Sequence, residues 1–190
     1  MGIKEGDTII IAAVTIPEVI YAFYALNQLG AISNMVDPRT SESGIQKYIL
    51  ESKAKYILTL DVLAEKIQGA ISDTSIEKII TNSFVGVRGI LFDMVNTKSH
   101  NVENVLPWKK FVNNRNKAVD KSSYRKNKCC VIVHTGGTTG SPKGVMLTDD
   151  NLNAMVINAK ASEGDYEIGN KFLNIILWYG KYFNSSIQSG

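Results

Sequence analysis

Four short strand-like runs, the first of them continuously apolar after Thr8, each followed by a stretch of helical periodicity or a break, constrain this chain more than any other feature. They are residues 8–14 (TIIIAAV), 31–36 (AISNMV), 56–60 (YILTL) and 78–81 (KIIT). A strand that is apolar at consecutive positions is covered on both faces, and alternation of strand with helix predicts a parallel sheet with right-handed crossovers. Between the first two runs, Pro17 stands where a first helical turn tolerates a missing N–H, Glu18 complements the N-terminal dipole, and Gly30 ends the helix. Val19, Ile20, Phe23, Tyr24 and Leu26 leave that helix little polar surface. Ser41 caps a second helix with Ile45, Tyr48 and Ile49 on one face, and residues 62–70 form a short third.

The chain has 190 residues, enough for one sizeable domain or one and a half small ones, and its 44% hydrophobic and 21% charged content is that of a soluble globular protein. Its net charge of +3 comes from scattered lysines and arginines, with no basic stripe interleaved with aromatics, so no nucleic-acid partner is expected. Pro17, Glu18, Asn27 and Gln28 divide the apolar stretch over residues 8–32 into a strand and a helix, each too short to span a bilayer. The N-terminus has no secretory pattern. Cys129 and Cys130 are adjacent at the head of an apolar strand, which suits neither a disulfide framework nor a metal site; they read as small buried hydrophobes. Reduced cysteines and the missing signal predict a cytoplasmic protein. His100 and His134 lack the partners that zinc requires.

Residues 134–144 read HTGGTTGSPKG. Gly136, Gly137 and Gly140 permit positive φ angles, so successive backbone N–H groups can turn into one concavity. Thr135, Thr138, Thr139 and Ser141 add hydroxyls, and Lys143 adds a mobile ammonium. Such a set suits the β and γ oxygens of a triphosphate. A Walker loop would put Gly-Lys-Ser/Thr into a helix, whereas Lys143 follows Pro142 and leads into the strand-like Gly-Val-Met-Leu-Thr. With residues 129–134 also strand-like, the loop is expected to join two strands. A plain hairpin turn needs one or two glycines and no lysine, which disfavours a loop without a ligand. His134 either lines the site or is a strand residue bonded to backbone.

The string from Thr135 to Thr148 resembles the phosphate-loop signature of the adenylate-forming superfamily, which includes acyl-CoA synthetases, the adenylation domains of peptide synthetases, and luciferases. Upstream pieces resemble the same family in order and spacing: Gly6-Asp7, Pro17-Glu18, Leu26 with Gly30-Ala31, Asp37-Pro38-Arg39, and Tyr48-Ile49-Leu50 through Ser52, Ala54 and Lys55. The resemblance implies an α/β fold with a largely parallel, helix-covered sheet, here incomplete. It implies ATP, Mg²⁺ and CoA as cofactors and a small-molecule carboxylic acid as substrate. The ATP phosphates would lie on Thr135, Gly136, Gly137, Thr138, Thr139, Gly140, Ser141 and Lys143. Trp178 and Tyr179, after a strand expected over residues 172–177, fall near the family's aromatic position beside the acyl substrate.

Residues 82–128 carry little signal beyond a Trp108–Phe111 element, and the basic stretch over residues 109–128 reads as a solvated face, with a CoA phosphate contact as the lesser alternative. Asp149 stands where the family commonly has histidine, and Asp149 or Asp150 is expected to cap the helix starting near Asn151. The family's later motifs, its hinge and its catalytic lysine have no counterpart in the sequence. Residues 1–190 are therefore expected to be a partial N-terminal AMP-binding domain without the C-terminal lid domain. The expected activity is that of an AMP-forming acyl-CoA synthetase that activates a carboxylic acid with ATP to an acyl-adenylate and transfers it to CoA, with fatty acid metabolism as its expected setting, not fully active as this chain alone. The alternatives are a non-catalytic nucleotide-binding module, an amino-acid adenylation domain, and an unrelated fold with a coincidental hairpin. An incomplete sheet also predicts self-association through an open edge.

Overall fold

The computed structural model describes residues 1–83, 104–113, 121–135 and 142–162. In chain order the elements are β1 (Thr8–Ala12), α1 (Pro17–Leu29), β2 (Ile32–Met35), α2 (Glu42–Ser52), β3 (Tyr56–Leu60), α3 (Ala64–Ala70, entered through a 3-10 turn at Asp61–Leu63) and β4 (Lys78–Asn82). They continue with β5 (Val105–Pro107), α4 (Trp108–Val112), β6 (Cys129–His134), β7 (Gly144–Thr148) and α5 (Asp149–Ser162). Among the described residues the strands form one seven-stranded sheet in the order β5-β4-β3-β1-β2-β6-β7. All neighbours run parallel except β6 and β7, which are antiparallel.

Alternation along the strands divides the core in two. Ile9, Ile11, Met35, Leu58, Leu60 and Ile80 face α1, whose Val19, Phe23 and Leu26 are buried against them. Ile10, Ala12, Ile57 and Ile79 face the other way, onto Ile45, Tyr48 and Ile49 of α2 and Ile67 of α3. The continuous apolar run of β1 thus has the cause expected of it, since a central parallel strand has no solvent face.

Helix ends follow local chemistry. Gly30 terminates α1 in the left-handed region at φ 73°, and the Ala31 N–H donates back to the Leu26 carbonyl at 2.9 Å. A side chain there would also collide, since a Cβ on Gly30 would stand 2.7 Å from Ser122 Oγ and 2.8 Å from Glu5 Cγ. Ser41 caps α2 as expected, its Oγ accepting from the Gly44 N–H at 3.2 Å.

Three readings are corrected. The first strand ends at Ala12 rather than residue 14. The stretch after residue 82 is not featureless, because β5 pairs with β4 at the sheet edge and leads directly into α4. Trp108 and Phe111 of that helix pack on the α1-side core with ring centroids 5.6 Å apart. The cap of α5 is Thr148, not Asp149 or Asp150: the Asn151 N–H donates to Thr148 Oγ1 at 3.2 Å, and the Thr148 N–H donates to Asn151 Oδ1 at 2.9 Å. The two aspartates instead hold other elements. Asn27 Nδ2 donates to Asp149 at 2.5 Å, tying α5 to α1, and the Tyr124 hydroxyl donates to Asp150 at 2.8 Å.

The basic stretch is partly engaged, with Arg125 paired to Glu5 and Lys128 Nζ donating to Ser122 Oγ at 3.0 Å. Among the described residues, no helix is long and apolar enough to cross a membrane.

Candidate phosphate-binding site

Ligands of open parallel sheets bind outside the carboxyl ends of the strands. At that edge β6 ends in His134, and the chain returns as β7 beginning at Gly144, directly opposite it. One more rung lies beyond the ladder. The Thr135 N–H donates to the Lys143 carbonyl at 3.0 Å, and the Lys143 N–H reaches Thr135 Oγ1 at 3.4 Å. Thr135 and Lys143 are thus brought together at the mouth of the hairpin, both exposed. Gly136, Gly137, Thr138, Thr139, Gly140 and Ser141, between them, lie outside the described residues, as do Trp178 and Tyr179.

The donors present fit anionic oxygens. A mobile ammonium on Lys143 and a hydroxyl on Thr135 held only by long contacts of 3.4–3.5 Å can both turn toward a phosphate. The same pair supplies no carboxylate for Mg²⁺, and among the described residues no three His, Cys, Asp or Glu side chains converge as a metal cage.

Beneath the mouth stands His134. Its Nε2 lies 2.7 Å from Asn34 Oδ1, and its ring stacks on Tyr48 with centroids 4.0 Å apart and planes inclined by 31°. A carbonyl oxygen accepts, so Nε2 carries the proton and Nδ1 is a bare acceptor. That Nδ1 is buried and has no hydrogen-bond partner among the described residues. His134 is therefore tied to a side chain on another strand rather than to backbone. Sequence reasoning missed Asn34 and Tyr48 as its neighbours, because nothing local links positions so far apart.

Burial pushes the His134 imidazole below its usual range, opposed by the nearby Glu51 charge. A histidine whose folded pKa lies below its unfolded value stabilises the fold fully above about pH 6.5 and loses that contribution as pH falls through the folded value. Relative to His134→Gln, the wild-type melting temperature is expected to drop more steeply between pH 7 and about 5. Parallel pH profiles for the two proteins would refute this.

Cys130 is buried at 1% exposure and Cys129 half-buried, both as free thiols. Burial, then the adjoining Asp149, pushes the Cys130 thiol up to about 12, so it packs as an apolar group and is no nucleophile.

Comparison with known proteins agrees with this architecture. The anthranilate CoA ligase AuaEII, solved in complex with anthranoyl-AMP, superposes with a TM-score of 0.67 at 16% identity, over 84% of this chain and 28% of that one. The mostly parallel sheet with its hairpin is the α/β fold of the N-terminal domain of adenylate-forming enzymes. More particularly, the chain belongs to the AMP-binding enzyme family, whose model matches residues 1–183. The 4-coumarate–CoA ligase of Vanilla planifolia is 29% identical over 174 residues, covering 92% of this chain and 29% of the relative. The 4-coumarate–CoA ligase CCL1 of Humulus lupulus is 28% identical over 165 residues, covering 87% and 27%. The chain thus spans less than a third of the length of these relatives.

Proposed function

We propose that residues 1–190 belong to the N-terminal AMP-binding domain of an AMP-forming acid–CoA ligase and carry its phosphate-binding hairpin. The observation that supports this most directly is the rung between Thr135 and Lys143, which closes a Gly/Thr-rich segment at the carboxyl edge of the sheet. In the reaction so assigned, a carboxylate oxygen forms a bond to the α-phosphorus of ATP while the bond to the bridging β-oxygen breaks and pyrophosphate leaves. A CoA thiol then forms the thioester, and AMP departs. Charge grows on the β and γ phosphates as the first bond breaks. The Lys143 ammonium and the Thr135 hydroxyl stabilise it best if already in position, and a stem built into the sheet keeps them there.

The acid is proposed to be aromatic, since the relatives and the structural neighbour are named for 4-coumarate and anthranilate. Fatty acids are the second class to try. The catalytic group for adenylation is not assigned to any residue of this chain.

Calorimetric titration of the 190-residue chain with ATP and with pyrophosphate is the test. Both are expected to bind at about millimolar concentration or below, and to compete, because they share the β and γ phosphate positions. Failure of either to bind, or binding of both at once, would overturn the assignment.

A further inference from the structure

Pairing between β2 and β6 stops at Met35 opposite Val133. Beyond that rung, backbone hydrogen bonds hold β6 only to β7, which among the described residues has no other strand neighbour. The point from which the hairpin departs would therefore lean on an edge strand alone. The next residue, His134, supplies a tie through its side chain, 2.7 Å from Asn34 of β2, the residue one rung back from the last pairing. Asn34 is 2% exposed and cannot swing away.

Two further contacts fix the ring. Tyr48 of α2 lies against one side at 4.0 Å. Gly144, opposite His134 on β7, presents no side chain; a Cβ there would stand 3.2 Å from Ile132 Cγ2 and 3.6 Å from His134 Cε1. The imidazole thus occupies a slot bounded by a helix, a parallel strand and the bare backbone of the hairpin's return strand.

Resting on the phosphate-binding assignment above, we infer that Asn34, Tyr48 and His134 form a clamp that positions the mouth of the hairpin, so that Thr135 and Lys143 meet the phosphates already ordered. None of the three touches the nucleotide in this role; they are positioning residues. Preorganisation raises affinity by removing an ordering cost at binding, so a loosened mouth binds more weakly even when the fold is intact.

The test compares pyrophosphate affinity and thermal stability for variants of the 190-residue chain. His134→Ala is expected to weaken pyrophosphate binding about tenfold, and Asn34→Ser to do the same. His134→Gln keeps an N–H for Asn34 and is expected to recover most of the loss. Ile67→Ala, in the core against α2, should lower the melting temperature while the folded chain binds pyrophosphate as tightly as wild type. Should His134→Ala fail to fold, Asn34→Ser and Tyr48→Leu carry the same comparison. Wild-type binding left unchanged by the clamp variants overturns the clamp and leaves the phosphate assignment standing. Equal weakening by Ile67→Ala also overturns it, as a mere stability effect. No binding by the wild-type chain removes the phosphate assignment, and the clamp with it.

Discussion

Replacing Lys143 with alanine is expected to weaken pyrophosphate binding about 10- to 100-fold, the range set by losing one hydrogen bond to a charged group. The residue sits one step beyond the last pairing of β6 with β7, its backbone already committed to Thr135, so truncating the side chain removes the ammonium without disturbing the stem. Stability should therefore change by no more than about 0.5 kcal/mol, as for other exposed positions. Lys143→Arg restores charge but replaces a compact ammonium with a planar fork, so partial recovery is expected. Calorimetric titration checks the two affinities, and urea denaturation checks the stability. Affinity unchanged in Lys143→Ala would remove the role given to this residue.

Ile57→Ala should show the opposite profile, a large loss of stability. Ile57 lies in the middle of β3, between Ile10 of β1 and Ile79 of β4, and is fully buried against α2 and α3. Truncation leaves a cavity in a place where strands on both sides prevent collapse, and about 2–5 kcal/mol of unfolding free energy is lost. That is a large share of the roughly 5–15 kcal/mol typical of a folded protein. Urea denaturation should show a much lower midpoint for Ile57→Ala and nearly none of this for Val62→Ala, since Val62 is 72% exposed. Similar midpoints for the two variants would mean that the parallel core is not packed as described.

What could be read from the sequence was what local chemistry decides. Tyr56–Leu60 has the bounds expected because a short run of β-forming residues, apolar but for Thr59 and flanked by the charged Lys55 and Asp61, suits a covered strand. Gly30 and Ser41 marked helix ends because a left-handed cap and a side-chain cap each demand a particular residue type. The strand Val105–Pro107 escaped notice because an edge position tolerates proline and needs no continuous apolar run. At the start of α5, three adjacent residues could each have served as cap by type. The choice of Thr148 depends on Asn151 reciprocating, and on Asn27 and Tyr124 engaging the two aspartates from elsewhere in the fold. At the site, composition exposed the Gly/Thr segment and Lys143. The partnership of His134 with Asn34 and Tyr48 is purely tertiary, and no periodicity encodes it.

The order of the strands bears on how the molecule comes together. β1, β2, β3 and β4 find their partners within a few tens of residues along the chain, whereas β6 must return past them to lie beside β2, Ser33 meeting Val131 roughly a hundred residues later. Closing so long a span carries a chain-entropy cost before any contact repays it, and such pairings form late. A molecule that has assembled its first four strands but not captured the sixth already owns most of both halves of its core, lacking Cys130 and Val131 on the α1 side. The β6–β7 hairpin is itself a local pairing and can form beforehand, but until it docks on β2 the His134–Asn34 contact is missing, which makes that contact a reporter that the whole sheet has closed.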